Sequence, residues 1–140
     1  MTINFTLIIV ATIVQFVLGA LWYSPLIFGN VWMNIMKDGG TCTKEEMEKM
    51  QKELIPFYFL QLFLTLITTW VLANNIAYAN VTGAAVYYYA GFMWLGYMMP
   101  VSVSSVVWAN TKKKYWAKQI AVMVGGQFIF LMVAAFILSL

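Results

Sequence analysis

No charged residue occurs in residues 1–36, 54–111 or 119–140. The eight basic and five acidic residues all fall in two clusters, Lys37–Glu53 and Lys112–Lys118. Uncharged apolar runs of this length read as membrane-crossing helices, because only an internally hydrogen-bonded backbone tolerates hydrocarbon. Composition agrees: 63% of residues are hydrophobic and 9% charged, where a soluble domain carries roughly 25% charged residues. The chain therefore reads as one all-α, polytopic membrane domain over residues 1–140.

Four spans are expected, at about Ile3–Tyr23, Pro56–Ala77, Ala84–Trp108 and Gln119–Leu140. Each supplies roughly the 20 residues that cross ~30 Å of hydrocarbon at 1.5 Å per residue. The third contains Pro100, where a tilt or kink is expected. No Lys or Arg precedes residue 37 and the first run ends in bulky Trp22-Tyr23. It therefore lacks the pattern of a cleaved secretory leader, and the first helix is expected to be retained.

The stretch "GALWYSPLIFGNVWM", residues 19–33, stays apolar beyond the first span. A continuous helix from Ile3 to Met36 would be ~51 Å long, too long for the hydrocarbon core. Pro25 disfavours helical geometry at Ser24. Ser24 is read as the cap of a short interfacial helix whose first residue is Pro25 and which runs to about Met36. A single long kinked helix is the other reading. The aromatics Trp22, Tyr23, Phe28 and Trp32 suit the headgroup boundary. Before the second span, "TKEEMEKMQKEL", residues 43–54, reads as a separate amphipathic helix facing water. Thr43 and Glu46 form its capping box, and Met47, Met50 and Leu54 its stripe.

Four spans place the first and third loops on one side. Those loops hold all eight lysines, so 37–55 and 109–118 are expected in the cytoplasm and both termini outside, in a bacterial inner membrane. The lysines of 112–118 serve as snorkelling anchors or meet anionic headgroups. A weak internal echo pairs Trp22-x-x-Pro25, followed by Trp32, with Tyr97-x-x-Pro100, followed by Trp108.

The spans contain no Asp, Glu, Lys or His. Pumps and proton-coupled carriers place such groups in the membrane interior. What remains is amides, hydroxyls and glycines. Counting along the helices puts Gln15 ~12 Å, Gln61 ~9 Å and Gln127 ~13 Å from the lysine end. They are expected to converge there with Ser102 and Ser105 nearby, because an unpaired amide in hydrocarbon is costly. Two readings follow: hydrogen bonding between helices, or a cytoplasm-facing polar pocket for a small neutral ligand. The pocket reading names Gln15, Gly19, Trp22, Tyr23, Gln61, Thr65, Trp94 and Gln127. Ala117, Ala121 and Gly125 form a small-residue ladder suited to helix packing or self-association.

Catalytic signals are lacking. Cys42 has no histidine to activate it, and no metal-ligand cluster or phosphate loop is present. Neither a cofactor, a metal nor a nucleic-acid partner is expected. The expected partners are the bilayer, a further copy of the chain and a small-molecule ligand.

"LGALWYSPLIFGNVW" resembles the signature closing the first helix of a family of small bacterial membrane proteins, the domain of unknown function 1761 family. "GFMWLGY", residues 91–97, is similar to that family's Trp-x-Gly-aromatic segment, and Gly125-Gly126 in an apolar last helix continues the likeness. The loop "NTKKKYWAK" departs from it, being Lys-only where an acidic-Gly-Arg type of turn is expected. The resemblance implies a four-helix membrane fold and no established activity. Two function classes stay open: a small transport or channel-like protein, and a non-catalytic membrane-organising protein.

Overall fold

The computed structural model describes residues 3–40 and 42–140. The order is α1 (Phe5–Trp22), α2 (Gly29–Met36), α3 (Lys44–Ala79), α4 (Ala85–Met93), a π turn (Trp94–Met98), α5 (Met99–Trp108), a 3-10 turn (Lys113–Tyr115) and α6 (Trp116–Leu138). No strand occurs among the described residues. Four helical stretches are long and apolar enough to cross a membrane: Phe5–Trp22, Lys44–Ala79, Ala85–Trp108 and Lys113–Leu138.

Capping explains several boundaries. Asn4 accepts from the N–H groups of Thr6 and Leu7 and starts α1. Thr43 and Glu46 form the expected capping box, with Glu46 N donating to Thr43 Oγ1 at 3.3 Å and Thr43 N to Glu46 Oε2 at 3.1 Å. Asn80, in the left-handed conformation at φ 52°, ends α3.

Three expectations need correction. The water-facing helix and the second span are one element, α3, which passes through Pro56 without interruption. Pro56 frees the carbonyl of Lys52, and there the chain is still polar enough for water to satisfy it. The short helix after the first span begins at Gly29, not Pro25. The Ser24 hydroxyl closes α1 instead, donating to the Leu21 carbonyl at 2.7 Å, and the Ser24 carbonyl receives Ile27 N and Gly29 N. In the third span the departure from α geometry precedes Pro100. Pro100 has no N–H to return to Gly96. The turn before it widens to a π turn, in which Met99 N donates to the Trp94 carbonyl.

The main hydrophobic cluster occupies one end of the bundle. It joins Ile8 and Ala11 of α1, Leu72, Ala73 and Ile76 of α3, Val86 and Ala90 of α4, and the α6 residues from Leu131 to Leu138. Ile3, Asn4, Ala77 and Leu140 line one small hollow there, so both ends of the described chain meet on that side. The lysine loops meet at the opposite end. Asp38 receives hydrogen bonds from Lys112 and, at 3.0 Å, from Tyr115, and pairs with Lys114 at 3.2 Å. The two loops thus lie on the same side, as the span count requires.

Candidate functional site

Towards the lysine end the packing loosens. The buried residues of α3 are confined to Thr69, Leu72, Ala73 and Ile76, and none of residues 44–68 is buried. The space left between α1, α3, the π turn and α6 is a cavity of about 470 Å³.

Six of the eight residues expected in a pocket line it. From α1 come Gln15 and Gly19, with Tyr23 just beyond the helix end; from α3, Gln61 and Thr65; from α6, Gln127. Phe16, Ala20, Tyr58, Leu64, Thr68, Met98, Phe130 and Leu131 complete the wall and were not among the residues expected in the pocket. Thr68 is legible from the sequence, where Gln61, Thr65, Thr68 and Asn75 form one polar stripe at helical spacing. Phe16, Tyr58 and Phe130 carry no signal that separates a cavity wall from a lipid face.

Hydrogen bonding fixes how two of the amides point. The Thr69 hydroxyl donates to the Thr65 carbonyl at 2.8 Å. Its proton is thereby committed, so at 2.6 Å from Gln15 Nε2 it accepts. Gln15 Nε2 also reaches the Ala11 carbonyl at 3.3 Å. Gln15 Oε1 therefore faces away from these partners. The same logic holds on α3: Thr65 Oγ1 donates to the Gln61 carbonyl at 2.8 Å and accepts from Gln61 Nε2 at 3.4 Å. Gln127 Oε1 accepts from the Ser102 hydroxyl at 2.8 Å, joining α6 to α5. Among the described residues, no hydrogen bond reaches the Oε1 of Gln15 or Gln61, and none leaves Gln127 Nε2. One side of each amide thus ties helices or turns together, and the other has no hydrogen-bond partner among the described residues.

Trp22 and Trp94 are not in the cavity wall. They grip α6 through its backbone. Trp22 Nε1 donates to the Val122 carbonyl at 3.0 Å, and Trp94 Nε1 to the Val124 carbonyl at 3.3 Å. Each indole also meets an α6 ring edge-on, Trp22 with Phe130 and Trp94 with Phe128. An indole N–H in hydrocarbon needs an acceptor, and a helix carbonyl supplies one.

The expected ladder is likewise placed differently. Ala117 and Ala121 are exposed, and a Cβ at Gly125 would meet nothing within 4 Å. The close approach within the chain is at Gly126, under the Trp22 ring. The periodicity of small residues marks a face of α6, but not the face packed on this chain's own helices.

The family model described as Protein of unknown function (DUF1761) matches residues 6–139. The chain belongs to this family. Its match covers the four membrane-compatible stretches except Phe5, together with the cavity and both tryptophan grips. No curated protein and no solved structure matches.

Proposed function

We propose that this member of the family is a small transport or channel-like protein of a bacterial inner membrane, and that the amide-lined cavity is its ligand site. The observation that carries the reading is the meeting of Gln15, Gln61 and Gln127, from three helices, around one cavity in the half of the bundle where α3 has no buried residue. Each amide retains an unused donor or acceptor, and a neutral polar ligand or water is what pairs such groups inside a membrane. The lysine loops are cytoplasmic and the termini outside on this reading, supported by eight lysines at one end. The cavity then opens towards the cytoplasmic half of the bilayer.

The test is retention. Proteoliposomes are loaded with a mixture of small neutral solutes, and the retained set is read by mass spectrometry after dilution. The wild type releases a subset that the Gln61→Leu variant keeps. Identical retention in both removes the transport reading.

A second reading, a non-catalytic membrane-organising role, has its own support. Ala117, Ala121 and Gly125 present a narrow-waisted face of α6 that this chain leaves open. In that reading the protein self-associates, and Gly125→Leu disperses the assembly. An unchanged oligomer in that variant takes the ladder out of the account.

A further inference from the structure

We infer that the ligand of the cavity is a neutral amphiphile, a molecule with a hydrogen-bond-donating polar group on a short apolar body, which enters sideways from the bilayer. The inference rests on reading the cavity as a ligand site and names the chemistry that site selects.

The polar end of the ligand is set by the amides. Gln15 is 6% exposed, and its Nε2 is used by Ala11 and Thr69. Its Oε1 has no partner among the described residues, and neither has Gln61 Oε1; both side chains line the cavity. A ligand that pairs both must donate. Gln127 Nε2 offers one donor in return. A hydroxyl or a primary amide answers this pattern.

Charge is set by what the wall lacks. No Lys, Asp or Glu lines the cavity. A carboxylate or an ammonium would lie ~12 Å inside the membrane without a counter-charge, which is costly. The ligand is therefore neutral.

The apolar body and the route follow from the helices. Phe16, Leu64, Met98 and Phe130 supply apolar wall around the amides. None of residues 55–68 of α3 is buried, so within the apolar stretch this part of the helix has little protein over its surface. Of the cavity-lining residues of α3, Tyr58, Gln61, Leu64 and Thr68 are exposed, which makes this the side from which the space is reached. Tyr23 and Tyr58, both on the cavity wall, are 38% and 46% exposed and carry hydroxyls nearer the lysine end. A bilayer-soluble molecule reaches the amides along this side without crossing the packed core.

The experiment is photolabelling of the intact protein in phosphatidylethanolamine–phosphatidylglycerol vesicles with a diazirine-bearing octanol, mapped by peptide mass spectrometry. Labelling is expected on residues 15–23 and 58–68, saturable, and suppressed by unlabelled octanol but not by octanoate or octylammonium. The Gln61→Leu variant, whose amide bonds only within its own helix, is expected to keep its circular dichroism and to lose about fivefold in labelling, the scale of one lost neutral hydrogen bond. Non-saturable labelling spread over lipid-facing positions such as Phe57 and Trp70 overturns the inference, as does equal competition by octanoate. If labelling is diffuse and the vesicles still release water-soluble neutral solutes in a Gln61-dependent way, the amphiphile is wrong and the ligand site stands. If both fail, the site falls with it.

Discussion

The Trp22 indole lies directly over Gly126, so close that a Cβ there would sit 2.8 Å from Nε1. The same nitrogen donates to the Val122 carbonyl one turn earlier on α6. The glycine and the tryptophan are thus one device: absence of a side chain lets the ring reach the helix backbone. Trp94 makes the corresponding grip at Val124. Gly19-x-x-Trp22 and Gly91-x-x-Trp94 are the matching sequence elements. In each, the glycine also lies beside an α6 side chain, Phe130 in one case and Met132 in the other.

Gly126→Ala must push the indole away and weaken its hydrogen bond. We expect a loss of ~2 kcal/mol, within the usual range for overpacking, read as a lowered Tm in detergent. Gly125→Ala, with open space around its Cβ, should not lower Tm and should gain the ~0.5–1 kcal/mol by which a helix interior prefers Ala to Gly. Equal effects at the two neighbours would contradict the grip.

Trp22→Phe and Trp94→Phe keep a ring but lose the donor. Each should cost ~1 kcal/mol, and the two costs should add, since the acceptors are different carbonyls. Hydrogen exchange along α6 is the measurement, with faster exchange expected around residues 122–128.

Gly29 is constrained differently. A Cβ there would stand 2.5 Å from the Tyr23 carbonyl oxygen and from the Ser24 carbonyl carbon, both backbone atoms that cannot rotate aside. Gly29→Ala should detach α2 from the end of α1 at a cost of ~3 kcal/mol. Limited proteolysis should then cut within residues 24–36 while α1 and α6 stay protected. Unchanged resistance would show that the turn relaxes freely.

Much of this architecture was legible. The charge gaps located the four helical stretches long and apolar enough to cross a membrane, the Thr43–Glu46 box located the start of α3, and counting turns from the lysine end brought three glutamines to one cavity. What was not legible has physical reasons. A tryptophan near a helix end serves equally as an interfacial anchor or as a donor to a neighbouring backbone, and only the approach of α6 decides. Aligning the internal echo on proline paired Trp22 with Tyr97, whereas the structural counterpart is Trp94, three residues earlier. Pro25 suggested a helix start by local rules, but the close seat of Gly29 on the Ser24 carbonyl moved it downstream. The Asp38 clamp joins residues far apart in sequence, and no local pattern announces it.

That clamp predicts a pH dependence. Hydrogen bonds from Lys112, Tyr115 and Lys114 hold the Asp38 carboxyl down from 3.8 to about 2. A depressed carboxylate stabilises the folded state above its unfolded value, and the benefit is lost as pH falls through the folded one. The Tm difference between wild type and Asp38→Asn should therefore be constant above about pH 4 and vanish near pH 2. The group is solvent-exposed, so the difference should be small and shrink with added salt. A difference that persists unchanged at pH 2 would mean that the loops are held by something other than this charge.

The central claim is that the cavity between α1, α3 and α6 holds a small neutral ligand through its spare amide groups. Native mass spectrometry of the protein released from detergent tests it most directly, comparing wild type with Gln15→Leu and Gln61→Leu. The account predicts a reproducible bound non-lipid mass in the wild type that both variants lose while keeping the same subunit number. A bare protein in all three, or the same mass retained by both variants, would contradict it.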